Sequence, residues 1–159
     1  MTMDAASQMT TVEKAALLIE VDLFQEVPSD ALAELAALME DTAHEAGEIL
    51  LEPGAPDARL AVIVEGRVQV RRGDEIVGDL TRGSAFGLLA ALGLEHGETV
   101  TAETPCRVLS IAPDEYLDAL ADSTAFAIAN LRALGRRLLV CETRVSEPAR
   151  DLPAGGDTR

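Results

Sequence analysis

The sequence has few aromatic residues and few positive charges. Aromatic side chains make up 3% of the 159 residues and tryptophan is absent, so base-stacking platforms and aromatic ligand cages are scarce. Lysine and arginine number 13 against 28 acidic residues, which gives a formal net charge of −15. A chain this acidic is repelled by nucleic acid and by anionic membrane surfaces. These shortages argue against DNA-binding and membrane-surface functions.

Histidine, cysteine and long apolar runs are also scarce. His44 and His96 lie far apart, so a histidine-rich metal site is excluded and no metal ligands are assigned. Cys106 and Cys141 form no CxxC pair, and we expect two reduced, buried or half-buried thiols. The longest uncharged stretch, Gly83–Leu94, is shorter than the roughly 20 apolar residues of a membrane helix. No signal peptide is visible, and the expected location is the cytoplasm.

The chain contains enough apolar residues, 48%, for one core, and its length suits one domain. Helical spacing of apolar residues predicts two short N-terminal helices, with Ser29 or Asp30 capping the second. The first runs from Val12 to Phe24 and would bury Val12, Ala15, Ala16, Ile19 and Leu23; the second runs from Ala31 to Met39 and would bury Leu32, Leu35 and Leu38.

The pattern changes to short strands after Asp41, where glycine recurs at short intervals. Residues Leu60–Val64 form a continuous apolar run, Val68 and Val70 alternate with polar residues, and Thr99–Ile111 supplies further alternating strand. Many short strands separated by turn residues predict a sandwich or a barrel.

Helices return at the C-terminus. Pro113 is placed to begin one helix, and Ser123 or Thr124 caps a longer helix to about Val145. This helix has a heptad seam of Ala127, Leu131, Leu134, Leu138, Cys141 and Val145. The seam either packs on its own domain or forms a homodimer interface, and we expect the homodimer. The predicted organisation is a flexible N-terminus over 1–11, a single domain over 12–145 and a disordered tail over 146–159.

The ordered set of motifs resembles the cyclic nucleotide-binding domain family, which includes catabolite activator protein and the regulatory subunits of cyclic-nucleotide-dependent kinases. The resemblance covers about Leu23 to Leu139 and rests on Leu23-Phe24 with Val27-Pro28, Ala46–Leu50, Glu52–Gly54, Val62–Val68 and Gly83–Gly87. It implies a mainly β fold, an eight-stranded jelly roll with N-terminal helices and a long C-terminal helix. It also implies a ligand inside the roll, whose cyclic phosphate is held by a short helix N-terminus and an arginine and whose ribose is held by a glutamate.

The segment that would hold the phosphate departs from the family pattern. Leu88 stands where the family has glutamate, and no arginine or lysine occurs between Arg82 and Arg107. Losing one partner of a buried charge pair costs about 2–5 kcal/mol, or roughly 30- to several-thousand-fold in affinity. We therefore predict that the phosphate-binding cassette, the segment from Phe86 to Thr99, is degenerate. The candidate ligand-binding residues are Phe86, Gly87, Leu88, Leu89, Ala90, His96, Gly97, Glu98 and Thr99.

The sequence allows two interpretations for each of three groups of residues. Residues Leu88–Leu92 either plug the roll or line a pocket for an uncharged ligand. His96 is either an exposed loop residue or, when protonated, a partial substitute for the missing arginine. The arginines on one hairpin and on the last helix either dock an acidic partner or balance an acidic surface; they are Arg67, Arg71, Arg72, Arg132, Arg136, Arg137 and Arg144.

Catalytic motifs are absent from the sequence: it has no Ser-His-Asp set, nucleophile elbow or phosphate-binding loop. We assign no catalytic residues and expect no enzyme. DNA-binding members of the family continue with a further domain after the long helix, and here only a short tail follows, so no nucleic acid partner is expected. The sequence predicts a non-enzymatic regulatory or interaction module without a cofactor, which signals through a partner protein. The alternative is a sensor that binds a cyclic nucleotide or another small molecule in the roll by a modified mode.

Overall fold

The computed structural model describes residues 8–151, with side chains described for residues 8–141. Its elements, in chain order, are α1 (Thr11–Leu18), a 3₁₀ turn (Asp22–Phe24), α2 (Ser29–Leu38), β1 (Glu40–His44), β2 (Ile49–Leu51), β3 (Leu60–Glu65), β4 (Val68–Arg72), β5 (Glu75–Leu80), β6 (Ala85–Phe86), α3 (Leu88–Ala91), β7 (Glu98–Ala102), β8 (Cys106–Ile111), α4 (Pro113–Asp122) and α5 (Thr124–Asp151).

The strands form two antiparallel sheets that face each other as a roll. One sheet has the order β1-β8-β3-β6 and the other β2-β7-β4-β5. The helices lie at both ends of the strand-containing segment. The predicted eight-stranded jelly roll with flanking helices is confirmed.

The β1-β8-β3-β6 sheet separates two apolar cores. Leu60, Val62 and Val64 of β3 belong to an outer core shared with the helices. Ala61 and Ile63 belong to an inner core between the two sheets. Successive side chains of a strand point to opposite faces, so a strand buried on both faces needs an apolar residue at every position. This explains the continuous apolar run Leu60–Val64.

The N-terminal helices differ from the sequence prediction in length and in the face they bury. The first helix ends at Leu18, because Val21 is extended and a separate 3₁₀ turn follows it. Its buried residues are Leu17 and Leu18, while Val12 and Ile19 are 78% and 57% exposed. The predicted buried face was therefore wrong for Val12, Ala16 and Ile19, whereas Leu23 is buried and Ala15 packs half-buried against the core. Helix α2 begins at Ser29, after Pro28 and without a side-chain cap, and it leaves its last residue, Leu38, exposed.

The C-terminal helices begin where the sequence predicts. Pro113 occupies the first turn of α4, and the Ser123 hydroxyl accepts a hydrogen bond from the Phe126 N–H at the start of α5. Helix α5 continues past Val145 to Asp151 and so includes the beginning of the predicted disordered tail. Residues 1–7 and 152–159, which hold most of the predicted N-terminal and C-terminal tails, lie outside the described residues. Cys106 is buried, but Cys141 is exposed rather than half-buried.

An aromatic cluster fixes α5 against the rest of the domain. The ring of Phe126 lies 6.0 Å from that of Phe24 and 6.0 Å from that of Tyr116. The Tyr116 hydroxyl donates to Asn130 Oδ1 at 2.8 Å, and the Asn130 amide donates to the Phe126 carbonyl. Burial raises the pKa of Tyr116 to about 12. This end of α5 is therefore held by apolar packing and by a fully paired polar group.

Within residues 8–151, no helix combines the length and the apolar character that crossing a membrane requires.

Candidate ligand-binding site

The candidate cassette begins at a glycine that the backbone requires. Gly87 has a φ of +86°, a conformation that side-chain-bearing residues rarely adopt. A Cβ placed there would also lie 2.1 Å from the carbonyl oxygen of Arg59. Gly87 thus lets the chain turn from β6, which pairs with β3, directly into the short helix α3. Phe86 stays in the inner core while Leu88 enters the outer core.

A cavity of about 650 Å³ lies beside this turn. We call it the roll cavity. Its walls come from β2, β4, β5, the cassette and α5. The residues that line it are Leu51, Val70, Val77, Gly78, Asp79, Leu80, Ala85, Phe86, Gly87, Leu88, Leu89, His96, Glu98, Leu134, Arg137, Leu138 and Cys141. Its size falls within the range of small-molecule sites, roughly 300–1,000 Å³.

Most of the candidate residues from the sequence line this cavity, namely Phe86, Gly87, Leu88, Leu89, His96 and Glu98. Ala90, Gly97 and Thr99 do not line it. Leu88 is 6% exposed and packs in the outer core, together with Ala91. From the segment Leu88–Leu92, Leu88 and Leu89 therefore form part of the cavity wall, and the cavity beside them stays open.

The charged groups at the wall are paired. Arg72 donates to Glu98 at 2.7 Å, and Arg137 donates to Asp22 at 3.0 Å. Asp79 lies 4.0 Å from the guanidinium of Arg67. Burial raises the pKa of the Asp22 carboxyl, but the hydrogen bond and charge of Arg137 outweigh this, and the net pKa lies below its usual value. The wall therefore combines its carboxylates with guanidinium partners from neighbouring elements.

His96 is held in one orientation by its own loop. Its Nδ1 accepts a hydrogen bond from the backbone N–H of Glu98 at 3.0 Å. A neutral imidazole whose Nδ1 accepts carries its proton on Nε2. The loop thus provides a hydrogen-bond donor at His96, one of the two positions, His96 and Gly97, at which the family resemblance places an arginine.

The sequence interpretation missed Arg137 as a cavity residue. It interpreted this arginine either as part of a docking surface for an acidic partner or as charge balance, but Leu134, Arg137, Leu138 and Cys141 all reach the cavity from α5. Leu134, Leu138 and Cys141 are four and three residues apart and so share one helical face, with Arg137 next to Leu138. That spacing was visible in the sequence, but which cavity the face covers depends on how α5 packs against the roll.

The predicted heptad seam on α5 is only partly exposed. Leu134 packs against the outer core of its own domain, whereas Leu131 and Leu138 are 66% and 60% exposed. Ala127 is half-buried, Cys141 is exposed, and the side chain of Val145 lies outside the described residues. The arginines of this helix pair within the chain: Arg132 and Arg136 both donate to Glu26.

The architecture is a β-roll of two four-stranded sheets with helices at both ends and a cavity beside the Gly87 turn. The cyclic nucleotide-binding domain model matches residues 41–123, which is more than half of the chain. The chain belongs to the cyclic nucleotide-binding domain family.

Two curated relatives share about a third of their aligned residues with the chain. A cAMP-dependent protein kinase regulatory subunit from Mycosarcoma maydis is 34% identical over 79 residues, which span 47% of this chain and 15% of the relative. Glutaminase 2 from Bradyrhizobium diazoefficiens is 31% identical over 141 residues, which span 86% of this chain and 23% of the relative. The chain thus covers less than a quarter of the length of each of these relatives.

Solved structures share the fold. The N-terminal domain of a transcriptional regulator from Streptomyces coelicolor A3(2) has a TM-score of 0.68 at 27% identity and covers 79% of this chain and 94% of that one. Catabolite activator protein from Thermus thermophilus has a TM-score of 0.70 at 17% identity and covers 80% of this chain and 63% of that one. The second likeness shows the fold alone.

Proposed function

We propose that the chain is a non-enzymatic regulatory module of the cyclic nucleotide-binding fold that does not hold cyclic AMP or cyclic GMP through the usual phosphate contacts. The observation that carries this proposal is the charge at the wall of the roll cavity. Within residues 8–141 the cavity has one guanidinium, Arg137, already paired with Asp22. The carboxylates of Asp79 and Glu98 lie at the same wall.

The energetic consequence is a large loss of affinity for a cyclic phosphate. A phosphate monoanion would have to compete with Asp22 for Arg137, and it would also be repelled by the carboxylates at the wall. The missing charge pair corresponds to about 2–5 kcal/mol. An affinity in the micromolar range would then fall toward millimolar.

The test is a thermal-shift titration with cyclic AMP and cyclic GMP up to about 1 mM, at pH 6 and pH 7.5. Ordinary binding at 100 times the Kd stabilises by about 2.7 kcal/mol and would raise the Tm by roughly 5–11 °C. We expect a rise of no more than about 1–2 °C, because 1 mM ligand at a millimolar Kd stabilises by only about 0.4 kcal/mol. A rise of several degrees in the unmodified chain would refute the proposal.

A restoring variant tests whether Leu88 and His96 cause the expected loss of affinity for a cyclic phosphate. Leu88→Glu combined with His96→Arg returns the two residue types that the family pattern has at these positions. If these two positions alone account for the loss, the double variant gains a Tm rise of several degrees with cyclic AMP. The Tm of the variant without ligand serves as its folding control, because Leu88 is buried.

We further propose that the module acts through protein contacts, beginning with a second copy of itself. The exposed leucines of α5, Leu131 and Leu138, support this, because apolar side chains at heptad spacing favour helix pairing. Light scattering at tens of micromolar is expected to give twice the chain mass of 16.8 kDa. Leu131→Glu should reduce this mass to that of one chain, whereas Ile76→Glu on exposed β5 should not. A single-chain mass for the unmodified protein would refute the dimer.

The roll cavity favours a second candidate function, a sensor of another small molecule. Its volume of about 650 Å³ and its continuity with α5 support this candidate, because a ligand there would touch the same helix that carries the proposed dimer contacts. In either case the proposed location is the cytoplasm, and no nucleic acid partner is proposed.

A further inference from the structure

The roll cavity is mainly apolar, which limits the ligands that it can bind. Val70, Val77 and Leu80 from one sheet face Phe86 and Leu89 of the cassette and Leu138 of α5 across it. Burying apolar ligand surface against such side chains contributes favourably to binding, by an amount proportional to the area removed from water. A polar ligand without matched hydrogen-bonding groups would lose its hydration there without compensation.

The paired charges of the wall argue for a ligand without net charge. Glu98 is paired with Arg72, and Arg137 with Asp22. An anion would have to displace Asp22 from Arg137, and a cation would have to displace Arg72 from Glu98 or Arg67 from Asp79, a looser pair at 4.0 Å in which Arg67 also bonds Glu103. A neutral ligand leaves these ion pairs intact.

The wall also offers one hydrogen-bond donor. His96 lines the cavity, and its Nδ1 is occupied by the Glu98 N–H. Among the hydrogen bonds of residues 8–141, the one to His96 is at Nδ1, and Nε2 makes none. The ring is therefore fixed in the tautomer that can donate to a ligand acceptor.

We propose that the roll cavity binds a neutral, largely apolar small molecule that carries a carbonyl-type acceptor, and that His96 Nε2 donates to this acceptor. The cavity volume accommodates a molecule of about 15–25 heavy atoms. This inference rests on the proposed function, because it requires that the cassette does not hold a cyclic phosphate. It specifies the ligand class of the proposed sensor.

Prodan, a neutral naphthalene ketone, is a suitable probe of this class. Its fluorescence moves to shorter wavelength in apolar surroundings and responds to hydrogen bonding at the carbonyl. With the full chain we expect saturable binding with a Kd on the order of tens of micromolar. Cyclic AMP at about 1 mM should not displace it.

Two neighbouring residues of β5 give a matched test of the location. Val77 lines the cavity and Ile76 does not, yet they are 56% and 59% exposed. Neither position is buried, so Glu at either one should leave the fold intact. Val77→Glu should weaken prodan binding about tenfold or more, because it places an unpaired carboxylate at an apolar wall. Ile76→Glu should change the Kd by less than about twofold.

Two substitutions of His96 test the hydrogen bond. His96→Ala should weaken binding about five- to tenfold and move the emission of bound prodan further to shorter wavelength, because the carbonyl loses its donor. His96→Gln keeps an N–H donor and should recover part of both effects. A purely structural role for His96 would not change the emission of the bound probe.

The outcomes separate this inference from the proposed function. If neither prodan nor cyclic AMP binds, or if Val77→Glu and Ile76→Glu behave alike, the ligand class is wrong while the proposed function stands. If His96→Ala changes neither affinity nor emission, the assigned donor is wrong. Micromolar binding of cyclic AMP would overturn both proposals.

Discussion

Asp41 and Arg107 form the least exposed ion pair between described side chains, at 4% and 14% exposure. Arg107 donates through Nε to Oδ1 at 2.7 Å and through Nη2 to Oδ2 at 2.6 Å. The backbone N–H of Met9 donates to the same carboxylate at 2.7 Å. This pair ties the start of the described chain to β1 and β8.

The perturbation is Asp41→Asn, which keeps the shape of the side chain but removes its charge. Breaking a largely buried ion pair on one side costs up to about 3–5 kcal/mol, because the guanidinium loses its bidentate carboxylate. The Asn oxygen can still accept one hydrogen bond, so we expect about 3 kcal/mol. For a domain of this size that lowers the Tm by roughly 6–12 °C.

The assay is thermal unfolding of the full chain at pH 7, with Glu26→Gln as the control. Glu26 also accepts from arginines, but its side chain is 40% exposed, and such exposed pairs contribute little to stability because water and salt screen them. If Asp41→Asn lowers the free energy of unfolding by less than about 1 kcal/mol, or if both variants lower it equally, burial does not strengthen the Asp41–Arg107 pair.

The pH dependence provides a second check on Asp41. Burial raises the pKa of its carboxyl, but the hydrogen bonds and charge of Arg107 and the Met9 N–H outweigh this, and the net pKa lies below its usual value. A carboxyl with a lowered folded-state pKa stabilises fully above its unfolded pKa of about 3.9 and loses that stabilisation as the pH falls toward the folded value. The Tm gap between the unmodified chain and Asp41→Asn should therefore be constant from pH 7 to about 5 and narrow below about 4. A gap that does not narrow would contradict this reasoning.

Two further predictions concern stability and can be measured by urea denaturation. Gly87→Ala should lower the free energy of unfolding by more than about 2 kcal/mol, because the new Cβ would meet a carbonyl oxygen at 2.1 Å in a left-handed conformation. Gly54 also has a left-handed backbone, but open space surrounds it, so Gly54→Ala should lower the free energy of unfolding by about 1 kcal/mol. Equal losses of stability in the two variants would show that the close contact at Gly87 is not the cause. Tyr116→Phe should cost about 1–3 kcal/mol, because it leaves the buried Oδ1 of Asn130 without its donor, and a neutral substitution would contradict this.

The fold could be predicted because its strands and turns leave local signals. The run Leu60–Val64 reflects a strand buried on both faces, and Pro113 marks the start of α4. The buried face of α1 could not be predicted in the same way. Helical spacing favoured Val12 and Ile19, but the helix is short and its orientation is set by tertiary packing of Leu17 and Leu18.

Only the part of the candidate site that lies in the cassette could be predicted from the sequence. Gly87 and His96 could be assigned from the family resemblance, because both lie in one continuous segment of the sequence. Arg137 lies far along the chain, and only the packing of α5 brings it to the cavity. Whether Leu88 plugs the roll or packs outside it depends on the direction of the chain after Gly87. Gly87 permits that direction, because it adopts a left-handed backbone and has no Cβ to meet the carbonyl oxygen of Arg59.

Helix α5 is a stiff wall of the roll cavity. Phe126, Ala129 and Ala133 are buried against the rest of the domain, so the helix is anchored over two turns and not at a single point. Leu138 lies about 7.5 Å beyond Ala133 along the helix axis. A tilt of about 10° at Ala133 would therefore move Leu138 by only about 1.3 Å. The α5 side of the cavity thus keeps a nearly constant shape, which favours selection of a ligand by fit.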